Sequence, residues 1–198
     1  SFQYIPDSEY VGIDNFTFTI SDGDFLSNEA TITIIISDIP GIIQGTVTNA
    51  IDGSLVSDVI VNIDNSETIT DANGYYIIYT NLEPGEYMVN GSSNSFCPYN
   101  GSFQILDDFS LDSITFNFSL SPIPEAGETR MVLNWGELPS DLDSHLKTPP
   151  IEGQNYHIYY GNRGSSDSAP YATLDYDVVT GYGPVSYTHL TLPTNHDV

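Results

Sequence analysis

Four carboxylates in two short patterns carry the chemistry this chain can best support: Asp141 and Asp143 in Ser140-Asp141-Leu142-Asp143-Ser144-His145, and Asp175 and Asp177 on either side of Tyr176. On an extended chain, residues two apart point to the same side, so Asp141, Asp143 and His145 share one face and Leu142 takes the other. Carboxylates gathered on one face repel each other unless water or a cation screens them. Calcium takes several oxygen ligands of this kind, so a calcium ion bound by Asp141, Asp143, Asp175 and Asp177 is the leading chemical hypothesis. Two other readings stand beside it. One is a transition-metal site that adds His145 or His157, although the spacing matches no zinc signature. The other is structural, with carboxylates capping turns and His145 hydrogen-bonded at a strand end. A glycosidase pair would need a sugar cleft and one carboxyl of raised pKa, and neither is a property of sequence.

Strands and turns must position these groups. Met131-Val132-Leu133-Asn134-Trp135 reads as a buried strand, after which Gly136 and Pro139 turn the chain into the acidic run. Nucleophilic catalysis finds no support. No histidine precedes His145, no G-x-S-x-G elbow occurs, and Ser54, Ser57 and Asp71 sit in runs of turn-forming residues. Cys97, between Phe96 and Pro98, reads as a small buried side chain, and as the single cysteine it makes no internal disulfide. Tyr156, Tyr159, Tyr160, Tyr171, Tyr182 and Trp135 suit either a sandwich core or a surface that stacks on a sugar or a protein partner.

Val, Ile, Thr, Tyr and Phe alternate with clusters of Gly, Pro, Asn, Asp and Ser, and no helical period persists, so the expected class is all-β. The balance of 27 acidic against 3 basic side chains, net −24, argues against nucleic acid and anionic membrane surfaces as partners. No apolar run reaches the about 18 residues of a membrane span, so no membrane insertion is expected. The chain opens on Ser1 within a strand-like run and carries no signal peptide. It therefore reads as part of a longer exported protein, with the export signal upstream.

Along the chain, F-x-Y-x-P, then Y-V-G-I-D-N-F-T-F-T-I-S-D-G, then A-T-I-T-I fill residues 1–39. This pattern resembles the last strands of bacterial cadherin-like, immunoglobulin-like tandem repeats. The resemblance implies three strands of an incomplete sandwich, with Asp7, Glu9, Asp14, Asp22 and Asp24 as further calcium candidates or ordinary turn residues. Ile39-Pro40-Gly41 reads as a linker. Residues 40–122 then carry G-T-V-T-N-A-I-D-G-S-L-V-S-D-V-I-V, T-D-A-N-G-Y-Y-I and L-E-P-G-E-Y-M-V. They resemble the carboxypeptidase regulatory-like domain, a transthyretin-like β-sandwich without catalytic residues. In that family Gly74 would reverse the chain and Tyr76 would pack in the core.

Residues 123–184, with W-G-x-x-P-S-D-L-D-x-H-L, Y-H-I-Y-Y-G-N-R-G and P-Y-A-T-L-D-Y-D, resemble a β-sandwich module of bacterial surface proteins. Val178 stands where that module usually has a further acidic residue. Residues 185–198 begin with V-S-Y-T-H-L-T-L-P-T, which resembles translated adapter sequence. A non-native tail is expected there, leaving the last sandwich without its closing strands. The whole then reads as serial immunoglobulin-like and transthyretin-like sandwiches, the first and last incomplete. The expected role is a non-enzymatic stalk, adhesion or binding segment of a large bacterial surface or secreted protein, meeting a protein or carbohydrate ligand at the cell exterior. The alternative is an accessory region of a secreted peptidase or glycosidase.

Overall fold

A computed structural model describes residues 3–7, 10–36, 41–80, 82–106 and 113–191. The expectations for residues 1–2, for the linker residues 39–40 and for residues 192–198 lie outside the described residues. The chain is all-β, with no helix among the described residues and with strands arranged as immunoglobulin-like β-sandwich modules. It divides into two compact units, Ser1–Pro40 and Gly41–Val198.

In the first unit β1 (Gly12–Phe18) pairs antiparallel with β2 (Ala30–Ile36), from Gly12 opposite Ile36 to Phe18 opposite Ala30. The turn between them is closed by Asp22, whose Oδ1 accepts from Asp24 N at 3.0 Å and Phe25 N at 2.9 Å. A third strand at the start of the chain was expected. Residues 3–7 instead pair with no strand, and Tyr4 is held by its hydroxyl donating to Asp14 Oδ2 at 2.8 Å. Pro6 has no N–H to offer a ladder. Ile13, Ile20, Phe25, Leu26 and Ile35 stay exposed, because two strands provide no second layer to bury them.

The second unit contains two apolar cores. Around the first, β3 (Gly41–Asn49), β4 (Ile60–Ile63), β5 (Ser66–Ile69), β6 (Tyr75–Thr80), β7 (Gly85–Ser92), β8 (Tyr99–Ile105), β9 (Ser113–Thr115) and β10 (Phe118–Leu120) form two sheets. One has the order β5-β4-β7-β8; in the other β3 pairs with β6, β9 and β10. The alternating inward residues Ile43, Val47, Val61, Ile63, Tyr76, Ile78 and Val89 fill the space between them.

The run 113–120 is broken into β9 and β10. At the break, the Asn117 side chain takes the Thr46 N–H at 2.8 Å in place of a backbone carbonyl. Gly45 permits the approach: a Cβ there would lie 2.0 Å from the Phe116 carbonyl oxygen. Tyr76, 1% exposed, donates its hydroxyl to that same oxygen at 2.6 Å. The Asp71 turn closes on itself, with Oδ1 accepting from Asn73 N and Tyr75 N at 2.8 and 2.9 Å and Gly74 at φ +66°. That left-handed angle suits glycine.

The second core is built by β11 (Glu128–Leu133), β12 (Leu146–Lys147), β13 (His157–Ile158), β14 (Gly164–Ser165), β15 (Ala172–Asp177) and β16 (Val185–Leu190). The main sheet has the order β11-β16-β15-β14, and β12 pairs with β13 separately. The expectation that this sandwich lacks closing strands is therefore corrected. Val185–Leu190 lies between β11 and β15 and sends Val185 and Tyr187 into the core, with Trp135 and Leu146 packed alongside. An alternating β-forming segment satisfies both open strand edges at once. Met131-Trp135 was expected as a buried strand. It is corrected to an edge strand at 128–133 whose Met131 and Leu133 are about two-fifths exposed, since only one neighbour flanks it.

The two cores meet through polar contacts. Ser186 Oγ donates to the Ala50 carbonyl, and Asn134 Oδ1 accepts from Ser119 N at 3.1 Å.

Candidate functional site

The segment after β11 is a turn pinned at both ends. Trp135 Nε1 donates to the Pro139 carbonyl at 2.8 Å, while Tyr182 N donates to the Gly136 carbonyl at 2.8 Å and Gly181 N to the Ser140 carbonyl. Residues 141–147 then alternate, with Asp141, Asp143, His145 and Lys147 exposed and Leu142, Ser144 and Leu146 half-buried. Tyr187 fixes this stretch onto the sheet: its hydroxyl donates to the Ser144 carbonyl at 2.8 Å and lies 2.7 Å from Ser144 Oγ.

The structure does not bring the four expected carboxylates together as one ligand set. A register shift between Leu174 and Tyr176 separates the environments of Asp175 and Asp177. Asp175 Oδ2 accepts from Thr188 Oγ1 at 2.7 Å, and Thr188 Oγ1 in turn accepts from Arg130 Nε at 3.2 Å. Arg130, with 6% of its side chain exposed, also donates to the Pro122 carbonyl at 2.9 Å and pairs with Glu128 at 3.3 Å. Burial pushes the Asp175 carboxyl above its usual range, against the Thr188 hydroxyl and the charges of Arg130 and Arg163. Asp177 is the member that feels the charges of Asp141 and Asp143. Burial raises its pKa, Arg163 offsets this, and those two carboxylates add to the rise. Among the described residues no three His, Cys, Asp or Glu side chains form a group able to hold a metal.

A different pair comes together instead. β12 and β13 set Leu146 opposite Ile158 and Lys147 opposite His157, and His145 Nδ1 then lies 2.8 Å from His157 Nε2. Both rings are exposed, and Tyr159 stacks on both with centroids 5.5 and 4.7 Å away. Sequence reasoning considered each histidine singly. The spacing of 12 residues pairs them only once the β12–β13 register is known. The Arg130–Thr188–Asp175 chain was likewise missed, since Thr188 fell in the segment expected to be foreign.

Between the two cores runs a groove of about 930 Å³ whose lining includes Tyr99, Phe103, Phe116, Trp135 and Tyr182. Among the described residues its one charged lining residue is Glu137, in a chain that holds 27 acidic side chains. Aromatic faces and amides without a cation suit an uncharged ligand better than an anion.

Residues 1–35 match the family described as a bacterial Ig domain. Three solved structures share part of the chain's course. Chlorocatechol 1,2-dioxygenase from Pseudomonas putida aligns at 14% identity and a TM-score of 0.33, over 42% of this chain and 60% of its own. The Bacillus anthracis TIE protein aligns at 6% identity and a TM-score of 0.36, over 88% of this chain and 38% of its own. The Streptococcal ancillary pilin aligns at 12% identity and a TM-score of 0.38, over 91% of this chain and 72% of its own. The chain thus spans 60% and 38% of the length of the first two. None of these three likenesses bears on activity. Among the described residues no helix is long and apolar enough to cross a membrane.

Proposed function

We propose that this chain is a non-catalytic extracellular segment of a larger bacterial surface or secreted protein, serving as a stalk or adhesion module. The match of residues 1–35 to a bacterial Ig domain, followed by two β-sandwich cores, is the observation that supports it. The net charge of −24 keeps the solvent-facing surface soluble and self-repelling. The likeness of the middle sandwich to carboxypeptidase regulatory-like domains belongs to the same proposal. Calcium is not required by it, because the described carboxylates supply no assembled ligand set.

A protein or carbohydrate ligand at the cell exterior would sit best in the groove bordered by Trp135, Tyr182 and Phe103. The test is a screen of the purified chain against neutral glycans and extracellular-matrix proteins, beside generic peptidase, esterase and glycosidase substrates. Retention on a ligand that Phe103→Ala weakens, without turnover of any substrate, is the expected result. Turnover that disappears in Asp143→Asn would overturn the proposal.

A further inference from the structure

We propose that His145 and His157 form a two-nitrogen site for a divalent transition metal, copper(II) foremost. His145 Nδ1 and His157 Nε2 stand 2.8 Å apart. That contact is a hydrogen bond, with a proton on one of the two facing nitrogens, and it shows that the paired strands bring both imidazoles within reach of one ion. Imidazole nitrogens without a sulfur ligand suit copper(II), which such sites bind most tightly among the divalent first-row metals.

Both rings are exposed, so each can turn about its outer torsion to aim its lone pair at a shared ion. Their backbones are held by the β12–β13 pairing, and Tyr159 stacked on both limits how far the rings separate. Binding requires His145 to carry its hydrogen on Nε2 and His157 on Nδ1, so that the two facing nitrogens are both free of protons. No third His, Cys, Asp or Glu completes the set among the described residues, and water fills the remaining positions. Lys147, opposite His157, adds one positive charge, set against a chain whose net charge of −24 concentrates cations around it.

The site is tested on the full chain carrying His189→Ala and His196→Ala, which removes the other two histidines. Copper(II) titrated into this protein is expected to give a paramagnetic resonance spectrum with two imidazole nitrogens. Adding His145→Ala or His157→Ala should weaken binding at least tenfold, and copper(II) should bind more tightly than zinc(II). Because both side chains are exposed, metal-free melting should be unchanged in each variant. Should an alanine variant melt early, His145→Gln or His157→Gln takes its place with the same expected loss. Unchanged copper affinity in either variant, a single coordinated nitrogen, or zinc bound more tightly than copper overturns the proposal.

Discussion

Thr188 donates to Asp175 Oδ2 at 2.7 Å while accepting from Arg130 at 3.2 Å, which places the carboxylate in a half-buried chain of hydrogen bonds on the β15–β16 pair. This contact is why the acidic residues do not act as one set. It gives Asp175 a structural partner and leaves Asp177 with Asp141 and Asp143.

Acid is expected to favour this part of the fold locally. Burial raises the folded pKa of Asp175 above its unfolded value near 3.8. Its contribution is then fully present below that unfolded value and is lost as pH rises through the folded pKa. Asp175→Asn keeps an acceptor oxygen for Thr188 and removes the charge, so melting at pH 7 should be at least as high as in the wild type. Asp52 works in the opposite sense: contacts from Ser54 lower its pKa, and its contribution is lost as pH falls through the folded value. A clear drop in the melting temperature of Asp175→Asn at pH 7 would show that the ionised carboxylate is a net gain.

Calcium at millimolar concentration should shift melting no more than sodium chloride of matched ionic strength. The ion takes six to eight oxygens, and Asp177, Asp141 and Asp143 provide no converging set. Differential scanning calorimetry with Asp141→Asn/Asp143→Asn as control decides the point. A rise specific to calcium and absent in the double variant would restore the cation reading.

Tyr76→Phe removes the donor to the half-buried Phe116 carbonyl and should cost about 1–2 kcal/mol. Gly45→Ala at the same place forces a methyl group against that carbonyl and should cost about 3 kcal/mol. Urea denaturation measures both, and a neutral Gly45→Ala would mean that β9 and β10 do not close over β3.

Truncation after Pro184 removes the strand between β11 and β15 and uncovers the core around Ile158 and Leu174. The shortened chain should lose the near-ultraviolet signal of Trp135, which packs on that core, while the Tyr76 core survives. Limited proteolysis of the full chain should yield a resistant piece beginning near Gly41 and retaining β16. A resistant piece that ends near residue 122, with truncation harmless, would mean that the tail plays no part in the fold.

What the sequence by itself determined is whatever is made within a few residues. The all-β class follows from alternation, and turns such as Asp71–Tyr75 close through side-chain bonds spanning no more than four positions. The alternation of Asp141, Asp143 and His145 against Leu142 was legible for the same reason. The tertiary structure alone decided partners, because those depend on strand order and register. Residues 185–190 took a central place since two strand edges lay open on either side. The shift between Leu174 and Tyr176 directed Asp175 to Thr188, 13 residues away. The β12–β13 register brought His145 and His157 into contact across 12 residues, and a one-residue slip would have turned them to opposite faces.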